Sequence, residues 1–142
     1  MPRKIVILTV DEIQYLAHRL AKETMDFDEP IPEFSTRYPG KLESCIVLPF
    51  QKFARRSLYP TMTQRAAMLF YLLIKNHPFQ NGNKRIAITS LFVYLYKNKR
   101  WLRVDTQELY NFAVWVASSP SKLKDEVVTA IDKFILFSIV KL

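Results

Sequence analysis

One stretch of the chain, residues 77–85, combines groups that can bind phosphate with a group that can accept a proton. It reads His-Pro-Phe-Gln-Asn-Gly-Asn-Lys-Arg. The imidazole of His77 has an unperturbed pKa of about 6.5, so its neutral form can take a proton from an attacking hydroxyl near neutral pH. Gly82 and Asn83 stand where a helix is predicted to begin, and the amino end of a helix can hold a phosphate through its backbone N–H groups. The stretch therefore predicts a phosphate site with a general base beside it.

The neighbouring side chains favour the same hypothesis. Lys84 and Arg85 fall in the first turn of the predicted helix, where cations are unfavourable because they face the positive end of the helix dipole. An anion bound between them would remove that penalty, since arginine can bind phosphate oxygens through two N–H groups and lysine acts as a point charge. Phe79 is interpreted as the apolar residue that fixes the loop. Asn81 supplies an oxygen where a metal-bound phosphate would need one, and Gln80 is predicted to face solvent.

Each of these residues also has a purely structural explanation. A histidine before a proline at a helix end can cap the preceding carbonyl groups, and Asn-Gly-Asn is favourable turn chemistry by itself. Taken singly, His77, Gly82 or Asn83 is explained best in this way. Taken together with the two cations at the helix end, the functional interpretation is the better one.

The first part of the chain is predicted to form two helices and two irregular segments. Thr9 and Glu12 have the spacing of a capping box, which opens a first helix. The predicted inner face of that helix carries Ile13, Leu16, Ala17 and Leu20. Residues 27–39 hold three prolines and lead to Gly40, which indicates an irregular connection. Residues 50–60 are predicted to be a surface loop or small hairpin, after a short second helix that carries Leu42, Cys45 and Ile46 and stops before Pro49.

Two longer helices are predicted to flank residues 77–85. The third helix begins near Thr63 and ends at His77, because a proline disfavours helical backbone in the residue before it. The fourth runs from about Asn83 to Asn98 and is apolar nearly all round, which is typical of a helix at the centre of a bundle. Asp105 caps a fifth helix, and Ser119-Pro120 is predicted to open a last helix that runs to the end of the chain.

Composition fits one soluble all-α domain over residues 1–142, a compact bundle of about six helices. Two glycines against eight prolines argue against a sandwich or barrel with many tight turns. The single cysteine excludes an internal disulfide and a CxxC metal site, which favours an intracellular protein. No secretory signal and no apolar run long enough to span a bilayer is visible. The net charge of +8 favours an anionic partner without choosing among nucleic acid, nucleotide, acidic protein and an anionic lipid surface.

Residues 77–85 resemble the signature of the Fic and Doc family, His-x-Phe-x-(Asp/Glu)-(Gly/Ala)-Asn-(Gly/Lys)-Arg. The position between two central helices also agrees with that family. Lys84, which stands where adenylyl-transferring Fic proteins have a glycine, resembles the Doc (death on curing) branch. Further Doc-like segments are residues 8–13 with His18, residues 40–44 with Pro49, and residues 75–76.

The resemblance implies a fido fold and a cytoplasmic toxin of a toxin–antitoxin pair. Fic proteins transfer a nucleoside monophosphate to a target hydroxyl, whereas Doc proteins transfer the terminal phosphate of ATP, with elongation factor Tu as target. By this resemblance His77 is the general base and Arg85 a second catalytic residue. Gly82, Asn83 and Lys84 bind the nucleotide phosphates together with Arg85.

Asn81 departs from the family pattern, which has an acidic metal ligand at this position. The resemblance implies Mg²⁺ as a cofactor with Asn81 as its ligand. Mg²⁺ is normally held by one or two carboxylates and substrate phosphates, so its affinity should fall where only an amide is present. Two alternatives to phosphate transfer to a serine or threonine hydroxyl therefore stay open: adenylyl transfer, and a weak or inactive module that binds nucleotide or protein. The (Ser/Thr)-x-x-x-Glu-(Gly/Asn) motif of self-inhibited Fic proteins is absent, which implies a separate antitoxin. Nucleic acid is the least favoured partner, and no membrane is implied.

Other residues with chemical potential are given structural roles. His18 is interpreted as a packed or capping histidine, and Cys45 as a core residue without a basic neighbour in sequence to lower its pKa. Arg55 and Arg56 correspond roughly to the flap that positions targets in the family. The large aromatic residues are interpreted as core and helix-packing residues: Tyr71, Tyr94, Tyr96, Trp101, Tyr110 and Trp115.

Overall fold

The structure, a computed structural model, describes residues 4–24 and 30–142. Within these residues the chain forms six α-helices and two short antiparallel pairs of strands. The predicted all-α bundle is confirmed. Residues 25–29, part of the predicted irregular connection, lie outside the described residues, and residues 30–33 and 37–40 have no helix or strand. No helix among the described residues is both long and apolar enough to cross a bilayer.

The helices have the following bounds in chain order. Helix α1 has three consecutive parts, Val10–Glu12, the π-helical Ile13–Ala17, and His18–Thr24. The others are α2 (Lys41–Val47), α3 (Met62–Lys75), α4 (Asn83–Lys97), α5 (Thr106–Ser118) and α6 (Lys124–Ser138). Short 3₁₀ turns cover Phe34–Thr36, Leu48–Phe50 and Ser121–Leu123. Strands β1 (Lys52–Phe53) and β2 (Arg56–Ser57) form a hairpin, and β3 (Arg100–Leu102) pairs with β4 (Ile139–Lys141).

Helices α3 and α4 form the centre of the bundle, as predicted. A capping box sets the start of α3: Gln64 N–H donates to Thr61 Oγ1 and Thr61 N–H donates to Gln64 Oε1, both at 3.1 Å. The helix ends at Lys75, so Pro78 follows in the loop as expected. Helix α4 buries apolar side chains around most of its circumference: Ile86, Ala87, Ile88, Leu91, Val93, Tyr94 and Leu95. The loop between these two helices is thereby fixed at both ends by the core.

Only half of the residues predicted to form the inner face of α1 are buried. The capping box between Thr9 and Glu12 is present, and Ile13 and Ala17 are fully buried. Leu16 and Leu20, however, are 48% and 41% exposed. The reason is the π-helical turn, which takes up one more residue than an α-turn and rotates the residues after it away from the predicted face.

The carboxyl-terminal prediction is also wrong in two respects. Ser119 does not open the last helix: its hydroxyl donates to the Val116 carbonyl at 2.6 Å and ends α5, and α6 begins only at Lys124. The chain does not stay helical to its end either, because residues 139–141 form β4. That strand pairs in register with β3, with Trp101 opposite Val140, a contact between segments about 40 positions apart that local patterns do not reveal.

The large aromatic residues divide into two groups. Tyr71, Tyr94 and Tyr110 are buried in the bundle, as predicted. Tyr96, Trp101 and Trp115 are 64%, 40% and 47% exposed, so their assignment to the core is wrong. The predicted loop or hairpin at residues 50–60 is a hairpin, and Arg65 anchors it with hydrogen bonds to the Tyr59 carbonyl at 2.7 Å and Ser57 Oγ at 3.0 Å.

An ion pair between Glu12 and Lys97 joins the start of α1 to the end of α4. Partial burial acts to raise the pKa of Glu12, but hydrogen bonds from Lys97 and Thr9 outweigh it, and the pKa lies below its ordinary value of 4.5. A carboxyl whose pKa is lowered by folding stabilises the fold above its unfolded pKa, and this contribution is lost as the pH falls through the folded pKa.

Replacing Lys97 by methionine should therefore lower the free energy of unfolding by about 0.5–1 kcal/mol at pH 7. Below pH 4.5 the wild type should lose this advantage, so the two proteins converge. Urea unfolding at pH 7, 4.5 and 3 measures the effect. Arg19→Met is the control, because the Arg19–Glu23 pair is 74% and 59% exposed and should contribute less. A constant gap between Lys97→Met and wild type at all three pH values would contradict this account.

Candidate active site

The loop between α3 and α4 opens with a residue in a rare backbone conformation. His77 has φ +48°, in the left-handed region that residues other than glycine seldom adopt. Its side chain is exposed, whereas the next two residues, Pro78 and Phe79, are buried. The turn at His77 therefore leaves the imidazole in water while the chain that follows enters the core.

His77 stands at the edge of an open pocket of about 530 Å³. The pocket is lined by residues 39–41, Ser44 and residues 75–77. Two lysines, Lys41 and Lys75, belong to the lining and no acidic residue does. The ammonium group of Lys75 is already engaged, since it donates to the carbonyls of Ala117 at 3.2 Å and Ser119 at 2.5 Å. The pocket gives a substrate room to approach the imidazole from solvent.

A pair of hydrogen bonds closes the loop on itself. Phe79 N–H donates to Asn83 Oδ1 at 3.0 Å, and Asn83 Nδ2 donates to the Phe79 carbonyl at 2.8 Å. The Phe79 ring is 1% exposed and packs against His18 and Phe34, with ring centroids 5.9 and 5.8 Å away. Both polar atoms of the Asn83 side chain thus bond Phe79 within the loop. A ligand would contact the backbone of Asn83 instead.

Gly82 forms the tightest point of the loop. It has φ +75°, and a Cβ atom at this position would lie 2.5 Å from Ile31 Cδ1. Only a glycine combines the left-handed backbone with so close a neighbour. The first hydrogen bond of the helical ladder runs from Ile86 N–H to the Gly82 carbonyl at 3.0 Å, so the N–H groups of residues 83–85 lie at the positive amino end of α4.

The two cations after Asn83 occupy different depths. Lys84 is half-buried, whereas Arg85 is 4% exposed and donates from Nη2 to the Ala21 carbonyl of α1 at 3.1 Å. Asn81 is half-buried and Gln80 is exposed, so Gln80 faces solvent as predicted. One imidazole, one helix amino end and two cations therefore lie within nine consecutive residues, with the Arg85 guanidinium directed to α1.

This loop lies within a stretch that matches a protein-family model. Residues 7–95 match the model described as Fic/DOC family, which is well over half of the chain. The chain belongs to the Fic/DOC family. Members of the Fic/DOC family are typically nucleotide-transferring enzymes. No curated protein and no solved structure matches the chain.

The loop of this Fic/DOC protein offers few charged ligands to a metal ion. Residues 77–85 contain no carboxylate, and Asn81 offers one neutral amide oxygen. Mg²⁺ prefers carboxylate oxygens along with those of substrate phosphates. Within residues 4–24 and 30–142, no three His, Cys, Asp or Glu side chains cluster as metal ligands. Residues 77–85 therefore offer Mg²⁺ no charged ligand, and substrate phosphates would have to supply most of its coordination.

The two other candidate residues have structural roles, as predicted. His18 is 8% exposed, and its Nε2 lies 2.7 Å from the Pro32 carbonyl. Cys45 is fully buried, its thiol donates to the Leu72 carbonyl at 3.4 Å, and burial raises its pKa to about 12. A thiol with so high a pKa carries almost no thiolate at neutral pH and is not a nucleophile.

The hairpin places Arg55 and Arg56 on the surface. Arg55 has φ +67° and lies with Ala54 (φ +51°) in the two-residue turn, the geometry of a tight antiparallel hairpin. Both arginines are exposed. Their part in positioning a Fic/DOC target stays a prediction.

Sequence reasoning missed the segment that covers the loop. Ile31 packs on Gly82, Phe34 packs on Phe79, and Tyr38 N–H donates to the Pro78 carbonyl at 2.9 Å. These residues lie about 40 or more positions before the loop, in a stretch without helix-length periodicity. No local pattern points to them, because their role arises only when the bundle brings the two segments together.

Proposed function

We propose that the chain is a Doc-like toxin that transfers the terminal phosphate of ATP to a serine or threonine hydroxyl of a protein target. The observation that carries the proposal is the placement of His77. Its imidazole is exposed at an open pocket, and the same nine-residue loop leads directly into the amino end of α4 with its two cations. Such a site can hold phosphates on one side of the base and a hydroxyl on the other.

The transfer is a displacement at phosphorus. The target oxygen forms a bond to the terminal phosphorus while the bond from that phosphorus to the bridging oxygen breaks, and ADP leaves with the electron pair. His77 takes the hydroxyl proton. The N–H groups at the start of α4 and the charges of Lys84 and Arg85 offset the negative charge of the phosphates. Positioning and charge neutralisation supply most of the catalysis in such reactions.

Lys84 favours phosphate transfer over adenylyl transfer. A glycine at this position would leave room for phosphates, whereas the lysine side chain fills space and adds charge. We infer that the nucleotide is bound the other way round, so that its terminal phosphorus faces the target hydroxyl. Elongation factor Tu is the first target to test, the site of action is the cytoplasm, and a separate antitoxin chain is the proposed inhibitor.

The position of the label distinguishes the two transfers. The protein is incubated with elongation factor Tu and with ATP labelled on either the γ or the α phosphate. Label from γ-labelled ATP alone is the expected result. Transfer from α-labelled ATP would mean adenylyl transfer and would overturn the proposal. Nucleotide binding without transfer to this or other candidate targets would favour a binding module, which the absence of a carboxylate in residues 77–85 makes the second candidate.

The neutral side chain of Asn81 leads to a prediction about Mg²⁺. Nucleotide affinity of the wild type should change by less than about threefold when Mg²⁺ is added, and Asn81→Asp should bind nucleotide about tenfold more tightly with Mg²⁺ than without. Isothermal titration calorimetry with ATP measures both. Asn111→Asp, the same change at an exposed position of α5 outside the pocket, is the control and should leave the wild-type behaviour unchanged. Strong dependence on Mg²⁺ in the wild type would refute the prediction.

A further inference from the structure

The pocket beside His77 is available to a protein target rather than to the nucleotide. Its lining consists of residues 39–41, Ser44 and residues 75–77. None of residues 82–85, where the phosphates are proposed to bind, belongs to this lining. His77 is the one residue of the stretch 77–85 at the pocket, and it is also the proposed base. A chain that fills the pocket would therefore lie next to the hydroxyl that His77 deprotonates.

The pocket carries a net positive charge. Lys41 and Lys75 belong to its lining. With His77 neutral, the only other charged residues within three positions of the lining along the chain are Arg37 and Glu43. Those two pair with each other, with Arg37 Nη2 3.5 Å from Glu43 Oε2, and cancel. Two positive charges remain, which attract an acidic group and repel a basic one.

The two lysines contribute to this charge in different ways. Lys75 is half-buried, and its ammonium group is held in place by the carbonyls of Ala117 and Ser119. Lys41 is exposed, and its ammonium lies 4.9 Å from the centroid of the Tyr38 ring. In the part of the chain that the structure describes, Lys41 forms no ion pair. Lys75 is thus a fixed charge, whereas the Lys41 side chain can turn toward a carboxylate.

The wall that carries Lys41 is joined to the loop that carries His77. Tyr38 N–H donates to the Pro78 carbonyl at 2.9 Å, and Lys41 N–H donates to the Tyr38 carbonyl at 3.3 Å. The Cys45 thiol of α2 also donates to the Leu72 carbonyl of α3, at 3.4 Å. The backbone at Lys41 therefore has a fixed position relative to the base, so this lysine can select a charge at a definite distance from the hydroxyl.

We propose that the pocket selects protein targets with an aspartate or glutamate within about three residues of the acceptor serine or threonine, and that Lys41 is the specificity-determining residue. The three-residue limit follows from size: a sphere of about 530 Å³ is about 10 Å across, and an extended chain advances about 3.3 Å per residue. The inference rests on the proposed function, because it places the acceptor hydroxyl at His77.

Three fluorescein-labelled peptides, each about ten residues long, test the selection. They share one threonine and differ at the second residue before it and the second after it, which are both glutamate, both glutamine or both lysine. Fluorescence anisotropy measures binding without any transfer, and label from γ-labelled ATP measures kcat/KM. We expect the glutamate peptide to bind about tenfold more tightly than the lysine peptide at low salt, with the difference shrinking as salt is added.

Variants of Lys41 locate the selection. The tenfold preference should fall to about threefold in Lys41→Met and disappear in Lys41→Glu, because the net charge of the pocket falls from two to one to zero. Lys41→Arg keeps the charge and should keep the preference. Lys133→Glu, the same reversal at an exposed lysine of α6 outside the pocket, should change it by less than about twofold. ATP affinity should also change by less than about twofold in Lys41→Glu.

Failure of this inference and failure of the proposed function give different results. Equal affinity for the glutamate and lysine peptides, a preference that Lys41→Glu leaves unchanged, or binding of none of the peptides would overturn the inference. So would a loss of ATP affinity in Lys41→Glu as large as its loss of affinity for the glutamate peptide, which would assign the pocket to the nucleotide. Transfer to all three peptides with equal kcat/KM would overturn the selection and leave the transferase. Binding that depends on Lys41 without transfer of label would support recognition at Lys41 and overturn the proposed function instead.

Discussion

Replacing His77 by glutamine should lower the rate of phosphate transfer about 100- to 10,000-fold, the range that a positioned general base contributes. Glutamine is similar in length but cannot accept the hydroxyl proton. The side chain is exposed, so the change should leave the fold and the free energy of unfolding nearly unaltered. The measurement is the single-turnover rate of labelling from γ-labelled ATP, together with ATP affinity, which should change by less than about threefold because the proposed phosphate site is at α4 and not at His77.

The other histidine of the chain gives the matched control. His18→Gln makes the same chemical change at a buried residue whose Nε2 lies 2.7 Å from the Pro32 carbonyl, a contact that a glutamine amide can keep. This variant should transfer phosphate far faster than His77→Gln, although it loses the ring contact with Phe79. If His77→Gln labels the target as fast as His18→Gln, His77 is not the base and the proposed mechanism fails.

Local signals in the sequence were enough to predict most of the bundle. The capping box at Thr9, the proline after His77 and the apolar circumference of α4 each act within a few residues, so the elements that they determine are found where predicted. The predicted burial of Leu16 is wrong because a π-helical turn changes the helical phase, whereas a prediction from periodicity assumes a constant phase. Strand β4 was not predicted because its partner β3 is remote along the chain.

The candidate site likewise has features that the sequence predicts and features that it does not. The order of residues 77–85 is enough to place an imidazole before a helix amino end. It does not reveal that Asn83 would be used to clasp Phe79, nor that Arg85 would contact α1. Those contacts depend on packing between helices, as does the position of Ile31 over Gly82. The sequence therefore predicts which groups are present, and the fold determines how deep each one lies.

Replacing Gly82 by alanine should have the largest effect on stability, a loss of about 2 kcal/mol. Two costs add: about 1–2 kcal/mol for a side chain in the left-handed region, and a smaller cost for moving the end of a neighbouring side chain out of the way. The neighbour is Ile31 Cδ1, which would lie 2.5 Å from the new Cβ. Urea unfolding at pH 7 measures the loss, and ATP affinity should fall as well because the start of α4 shifts.

The only other glycine of the chain separates the two costs. Gly40 has φ +81°, but no atom lies within 4 Å of a Cβ built there, so Gly40→Ala should lose only the backbone term of about 1–2 kcal/mol. Ile31→Val removes the Cδ1 atom alone, and the double variant with Gly82→Ala should recover most of the excess over Gly40→Ala. Equal losses for the two glycine variants, or no recovery in the double variant, would mean that close packing of Ile31 does not determine the geometry at the amino end of α4.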